Sequence, residues 1–388
     1  MVNFKCINHE YYLLKGDKIL ALIRRIFHKY PEFRHNSFKY AARFAPWIPF
    51  LGARADLSKN LKRVITFPDH SNSLYLGNPI ILAAGANKTA KRIMDYSNIG
   101  FGGICVGTAT RHFREGNTHR PRIGFLEHDR AIHNSMGLNN EGIEVISKRV
   151  DDQLIQAHKK GLCVGVSIAE TPGLTDPDEK LKDIIESFSI AYKSADYIEI
   201  NVSCPNTGED RIDLDTNFAE KVFSQIMEFR NTRGLRKAVY AKLSPDLSER
   251  QLMVMMDMLV RNGVNGVVLG NTFPTAQISA LPMRAQYEDL IPLRADGNKG
   301  GLSGRPLYEN MFWTVSYVKK HYPSISIMAC GGIDHGHKIY DLLKLGVDAV
   351  QCYSVVAFRW MAAHAMRKEL QEALIANGYK NLSDFYGE

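Results

Sequence analysis

DEKLKDIIESFSIAYKSADYIEINVSCPNT, residues 178–207, contains three successive patterns. Residues 178–195 repeat apolar side chains at helical spacing, whereas DYIEI, residues 196–200, alternates like a β-strand. NVSCPNT, residues 201–207, then places a cysteine, a proline and two asparagines where the strand ends. A helix followed by a strand is one unit of an α/β fold, and the polar end of this strand is a candidate site.

Short apolar runs of this kind recur along the chain, with helical patterns between most of them, such as SERQLMVMMDMLVRNG at residues 248–263. The eight runs are PIILAAG (79–85), GGICVGT (102–108), LCVGVSI (162–168), DYIEINV (196–202), AVYAKL (238–243), NGVVLGNT (265–272), ISIMACGG (325–332) and DAVQCYS (348–354). Eight β-then-α units predict an α/β fold of the (β/α)8 TIM-barrel type. Active sites of such barrels lie at the carboxyl ends of the strands, where this chain is polar or glycine-rich.

The N-terminal segment differs in composition from the rest of the chain. Residues 1–65 contain thirteen Lys/Arg and four Asp/Glu, a balance of +9, and the remainder contains 36 basic and 37 acidic residues. KILALIRRIFHKY, residues 18–30, predicts a helix with one apolar stripe, and a second short helix is predicted from Ser37 to Phe44. We therefore divide the chain into a small, basic helical N-terminal extension, 1–65, and a barrel domain, 66–388. The apolar stripe suits either packing on the barrel or contact with a membrane interface.

Membrane-spanning and secreted proteins are not expected from this sequence. No apolar run reaches the roughly 18–20 residues that span a bilayer, and the N-terminus lacks a signal-peptide pattern. The six cysteines form no CxxC pair, so neither an iron–sulfur nor a structural zinc site is expected, and no metal is predicted. This cysteine usage fits the reducing cytoplasm.

The polar strand ends resemble, in their order along the chain, those of a known flavoenzyme family. The motifs are AAG-x-[DN]-K, NSMG, N-x-S-[CS]-PN, KLSPDL, GNT, GGLSGRPL, GG and YS, and they extend from about Leu76 to Phe358. Together they resemble the dihydroorotate dehydrogenases of pyrimidine biosynthesis. The resemblance implies oxidation of dihydroorotate to orotate by bound FMN, and no strand–GxGxxG–helix unit indicates a dinucleotide instead.

On the substrate side, the resemblance implies asparagine side chains that hold a planar ring rich in amide groups, since asparagine both donates and accepts hydrogen bonds. It assigns Cys204 as the base that removes a proton while the hydride leaves to the flavin. The substrate residues that it implies are Lys88, Asn134, Met136, Gly137, Leu138, Asn201, Asn206, Asn271 and Thr272.

On the cofactor side, the resemblance places Lys242 near the electron-rich edge of the flavin, where a positive charge stabilises the reduced anion. It assigns Ser303–Gly304, Gly331–Gly332 and Tyr353–Ser354 to the phosphate cradle, because such barrels bind phosphate with backbone N–H groups near a short helix. The cofactor residues that it implies are Ala84, Gly85, Lys88, Thr108, Ser167, Asn201, Lys242, Gly270, Ser303, Gly304, Gly331, Gly332, Tyr353 and Ser354.

The sequence departs from the family pattern in ways that bear on the electron acceptor. Cys204 is typical of the soluble classes, whereas the quinone class normally has serine, and the helical extension is typical of the quinone class. Asn87, Ser167 and Gly270 replace an aspartate, an asparagine and a threonine of the usual pattern. A quinone is our first prediction for the acceptor, fumarate or another soluble acceptor the second, and NAD through an iron–sulfur partner subunit the third.

Two other functions are also compatible with an FMN-binding barrel. A tRNA-dihydrouridine synthase is also an FMN barrel with an active-site cysteine, and a barrel that has lost turnover could serve as a binding protein. The basic residues precede the barrel, and the asparagine set suits a small free pyrimidine, so no nucleic acid partner is expected. The extension predicts peripheral contact with the cytoplasmic face of the inner membrane, and the oligomeric state is left open.

Overall fold

The computed structural model describes residues 60–203, 211–281, 300–359 and 361–387. The helices predicted between residues 18 and 44 lie outside these ranges, as do Cys204 and Asn206. The predictions for them therefore remain predictions from the sequence.

The predicted barrel is confirmed. Eight parallel strands close on themselves in chain order, each paired with the next and the last with the first, and each predicted run forms one of them. Parallel strands buried on both faces form from near-continuous apolar runs, which is the pattern that these segments share. The barrel strands are β3 (Ile80–Leu82), β4 (Gly103–Ala109), β7 (Cys163–Ile168), β8 (Tyr197–Asn201), β9 (Ala238–Leu243), β10 (Gly266–Leu269), β13 (Ser326–Cys330) and β14 (Ala349–Cys352).

Helices connect most of these strands, and the two helices quoted above are confirmed. Asp176 caps the third helix by accepting hydrogen bonds from the backbone N–H groups of Asp178 and Glu179, and Ser248 forms a capping box with Gln251 at the fifth. The helices are α1 (Ile93–Ser97), α2 (Ile143–Lys159), α3 (Pro177–Ser194), α4 (Thr216–Asn231), α5 (Glu249–Arg261), α6 (Tyr308–His321), α7 (Gly336–Lys344), α8 (Val355–Phe358), α9 (Ala362–Ala376) and α10 (Leu382–Tyr386). None of the described helices combines the length and the apolarity that crossing a bilayer requires.

The barrel has an apolar core on each side of its wall. One cluster fills the space between the strands and the helices, and the other fills the barrel interior and includes Tyr240 and Met328. An antiparallel hairpin, β1 (Arg63–Ile65) with β2 (Leu74–Leu76), adds buried side chains to the interior cluster. The last residues of the segment 1–65 therefore pack against the barrel.

A second sheet, which the sequence did not predict, borders the candidate site. Its strands are β5 (Ile123–Leu126), β6 (Ala131–Asn134), β11 (Phe273–Pro274) and β12 (Gly301–Gly304), in the antiparallel order β11-β12-β6-β5. The connection after β4 supplies one pair of strands and the connection after β10 supplies the other. Ser303 and Gly304 therefore precede the seventh barrel strand and reach the site from this sheet.

Candidate active site

A pocket lies where the carboxyl ends of the barrel strands meet the second sheet. Most of the residues predicted from the sequence line this pocket, and they come from strands all around the barrel and from the second sheet. The predicted residues that line the pocket are Ala84, Gly85, Lys88, Thr108, Asn134, Met136, Leu138, Asn201, Lys242, Asn271, Thr272, Ser303, Gly304, Gly331, Gly332, Tyr353 and Ser354. The fold therefore brings together motifs that are spread over 271 positions of the sequence, from 84 to 354.

Three described residues of the predicted set lie behind the pocket wall. The Ser167 hydroxyl is 3.0 Å from the hydroxyl of Thr108, which also accepts a hydrogen bond of 3.0 Å from Asn201 Nδ2. Gly270 has a φ of +109°, and a Cβ at this position would lie 1.8 Å from the carbonyl oxygen of Cys330. Gly137 has a φ of +68°, and a Cβ there would lie 2.3 Å from Asn117 Oδ1 and 2.6 Å from the Asn117 backbone nitrogen. These residues shape the wall, and only glycine fits position 270.

The amide side chains approach the pocket from two sides. Asn271 Nδ2 donates to Asn201 Oδ1 at 3.2 Å and to the Ser203 hydroxyl at 2.8 Å, so these strand-end residues form one network. Asn134 lies on β6 in the second sheet. Amides on both sides of a pocket can hold a flat ring by its edges, because each supplies donors and acceptors.

Lys88 is held by a residue that the sequence analysis missed. Its ammonium donates to Asn139 Oδ1 at 2.6 Å. Asn139 follows the predicted NSMG motif by two positions, and this proximity could have identified it from the sequence. The bond joins the loop after β3 to the loop after β6, and so fixes the lysine at the pocket edge.

Lys242 is the buried cation of the site. Its Nζ lies 3.4 Å from Glu199 Oε1 and 3.2 Å from Gln351 Oε1. Burial is the largest influence on the pKa of Lys242 and lowers it, but the attraction and hydrogen bonding of Glu199, with smaller contributions from Cys330 and Cys105, together raise the pKa above its ordinary value. Gln351 also lines the pocket and was not predicted, nor was Glu199 behind it.

The glycine-rich strand ends form a cradle with backbone polar groups. Gly304, Gly331 and Gly332 all have positive φ, and a Cβ at Gly332 would lie 2.6 Å from the backbone nitrogen of Tyr308, where α6 begins. Ser354 precedes the short helix α8. Glycines let the backbone approach a ligand closely, and the N–H groups at the start of a helix can bind a phosphate group.

A buried ionic cluster supports the strand ends beside the pocket. Arg211 donates to Asp213 Oδ1 at 3.0 Å and to both oxygens of Asp246 at 2.8 and 2.9 Å. Asp213 Oδ2 accepts from the backbone N–H of Ser244, directly after β9. Burial raises the pKa of Asp213 to about 6 although Arg211 opposes the shift.

This cluster gives a pH-dependent stability that can be measured. Between pH 3.8 and about 6, Asp213 is protonated in the folded protein but ionised in the unfolded chain, so its contribution to stability declines as pH rises through this window. We expect the unfolding free energy of the wild type, minus that of Asp213→Asn, to fall by about 2–3 kcal/mol across it. Urea denaturation at several pH values measures the difference. If the unfolding free energies of the wild type and Asp213→Asn changed in parallel with pH, the raised pKa of Asp213 would be contradicted.

Comparison with known proteins identifies the family. The family model for dihydroorotate dehydrogenase matches residues 71–374, which include every barrel strand and the whole pocket. The chain belongs to the dihydroorotate dehydrogenase family. The family predicted from the strand-end motifs is thereby confirmed, and the tRNA-dihydrouridine synthase alternative receives no support.

Individual members of the dihydroorotate dehydrogenase family match over most of their length. The dihydroorotate dehydrogenase (quinone) of Dichelobacter nodosus is 30% identical over 84% of this chain and 89% of its own. That of Kocuria rhizophila is 29% identical over 79% and 86%. The crystal structure of DHODH from Eimeria tenella in complex with ferulenol superposes with a TM-score of 0.75 at 26% identity, covering 91% of this chain and 94% of that one.

Proposed function

We propose that the protein oxidises dihydroorotate to orotate with FMN as its cofactor and passes the electrons to a quinone. The observation that carries the proposal is the pocket itself, in which Asn134, Asn201 and Asn271 share one cavity with Lys242 and the glycine cradle. The amides suit an amide-rich ring, and the cradle and the lysine suit a mononucleotide flavin. The family match supports this combination.

The residues fit FMN by their chemistry and spacing. Gly304, Gly332 and Ser354 would hold the phosphate through backbone groups and the serine hydroxyl, and Lys242 would supply positive charge to the ring. FMN, when bound, supplies the hydride acceptor that no amino-acid side chain provides. The protein supplies position, charge and the proton acceptor.

Substrate binding and proton removal fall to the other side of the pocket. Asn201 and Asn271, tied to each other and to Ser203, would orient the ring, and Asn134 would hold the opposite edge. Cys204, which follows Ser203 directly, is the proposed base. Lys88 is held beside this site by Asn139.

The quinone is proposed as acceptor because the curated relatives named above are quinone enzymes by name. The basic, amphipathic segment at residues 1–65 supports peripheral contact with a membrane, where a quinone would be met. A soluble acceptor such as fumarate is the second candidate, because Cys204 stands where the quinone class normally has serine.

Steady-state oxidation of dihydroorotate by the purified protein, with a quinone, fumarate and NAD compared side by side, tests the proposal. We expect turnover with the quinone to exceed turnover with the other two. Turnover with fumarate alone would establish the second candidate, and absence of flavin reduction by dihydroorotate would overturn the proposed reaction itself.

The cradle gives a sharper test of cofactor binding. The purified protein is expected to be yellow with one FMN, and Gly332→Ala is expected to weaken FMN binding about 10- to 100-fold, because a Cβ there meets the Tyr308 backbone and α6 must shift. Gly263→Ala is the matched control. Its φ of +74° is close to the +66° of Gly332, but nothing lies within 4 Å of the added Cβ.

Fluorescence titration of the deflavinated variants with FMN measures both affinities. Equal losses in the two variants would mean that backbone strain alone, and not the cradle, accounts for the effect. A colourless, folded wild-type protein that takes up no added FMN would overturn the assignment of the cofactor.

A further inference from the structure

We propose that Glu199, held in place by Gln351, is a positioning residue that keeps Lys242 charged and directed into the flavin pocket. The inference rests on the proposed function, because it takes Lys242 to act on the flavin. It concerns a buried residue that does not line the pocket.

The three side chains close a ring inside the barrel. Glu199 lies on β8 and Lys242 on the adjacent β9, and their charged atoms are 3.4 Å apart. Gln351, on β14 across the barrel interior, donates from Nε2 to Glu199 Oε2 at 2.8 Å and accepts from Lys242 Nζ at 3.2 Å. The side chain of Glu199 is 0% exposed and that of Lys242 5% exposed, so water does not screen the pair.

The ring restrains a side chain that is otherwise flexible. A lysine ammonium carries three N–H donors on a four-carbon stem. Lys242 Nζ donates to Gln351 Oε1 and lies within ion-pair distance of Glu199 Oε1, so two contacts restrain the ammonium at the point where Lys242 lines the pocket. Because Gln351 bonds both partners through its two different amide atoms, its orientation is fixed as well.

Glu199 is also the counter-charge that a buried ammonium needs. The titratable groups that face Lys242 are Glu199 on β8, Cys105 on β4 and Cys330 on β13. Burial raises the pKa of both thiols, so they are neutral near neutral pH. Tyr197, which faces Cys105 and Glu199, is likewise neutral because burial raises its pKa. Within the described residues, Glu199 is therefore the charge that balances Lys242.

Glu199→Gln removes this charge with little change of shape. Burial then acts on Lys242 without the opposing Glu199 carboxylate and lowers its pKa, so the lysine loses its proton at a pH at which the wild-type lysine keeps it. A reduced, anionic flavin loses its positive neighbour at the same pH. The effect must therefore grow as pH rises, which a merely structural role would not produce.

The experiment is a redox titration of bound flavin against a reference dye, without substrate, from about pH 6 to about pH 10. Wild type, Glu199→Gln, Lys242→Met and the double variant are compared. We expect the equilibrium constant for flavin reduction in Glu199→Gln, relative to wild type, to fall about 10- to 100-fold across this range. In the Lys242→Met background the same substitution is expected to leave the ratio independent of pH.

The inference would be overturned if the ratio of the Glu199→Gln equilibrium constant to that of wild type did not change with pH. It would also be overturned if Glu199→Gln produced an equal fall in the Lys242→Met background. Gln351→Met provides a second variant if Glu199→Gln does not fold, because it keeps both charges and removes only the bridge. The equilibrium constant for flavin reduction in Gln351→Met, relative to wild type, is expected to fall as pH rises, but by less than in Glu199→Gln. A ratio that is independent of pH would count against the proposal. Failure of the proposed function is distinguishable, since it would appear as absence of bound flavin or of its reduction by dihydroorotate.

Discussion

Flavin reduction by dihydroorotate is expected to slow about 10²–10⁴-fold when Cys204 is replaced by alanine, which is the usual contribution of a positioned general base. Orotate binding is expected to stay nearly intact, because Asn134, Asn201 and Asn271 remain in the pocket. Stopped-flow absorbance of the flavin measures the reduction rate, and spectral titration with orotate measures the affinity.

The pH profile separates the base from a merely steric role. An ordinary thiol titrates near pH ~8.5, so reduction in the wild type should rise with pH through the pKa of the thiol. Cys204→Ser should move this rise to higher pH, because a hydroxyl is a weaker acid than a thiol. Cys163→Ala is a suitable control, since Cys163 is buried in the barrel interior and lies outside the pocket. An undiminished rate in Cys204→Ala would place the base elsewhere.

Deletion of residues 1–59 is expected to abolish quinone reduction and liposome binding together, while dihydroorotate still reduces the flavin. The deletion ends before Leu61, because Leu61, Ile65 and Phe67 are buried in the barrel clusters and their loss would damage the fold. The pocket residues are all retained. Quinone turnover, single-turnover flavin reduction and vesicle co-sedimentation measure the three activities.

Salt dependence tests the electrostatic part of this prediction. Basic residues near an anionic membrane contribute about 1 kcal/mol each, and the attraction falls off within a Debye length. Binding of the full chain to anionic vesicles should therefore weaken as salt rises, and neutral vesicles serve as the control. A deletion variant that folds and reduces quinone at the full-length rate would show that the segment only packs on the barrel.

The barrel was predictable because parallel strands buried on both faces leave apolar runs in the sequence. The second sheet was not, because β11 and β12 are short, and β12 pairs with β6 across more than 160 positions, as Gly301 does with Asn134. Glu199 was missed for a related reason. In DYIEI it reads as the solvent side of an alternating strand, but in a closed barrel that side is the interior.

Position 270 limits how this protein can exchange residues with its relatives. The carbonyl oxygen of Cys330 occupies the space that a side chain on Gly270 would need. Introducing the threonine that is usual in the family would therefore fail as a single change, although it restores the common sequence. The backbone of β13 would have to move with it, so the two segments form one epistatic unit. Grafts from relatives into this site should carry both segments or neither.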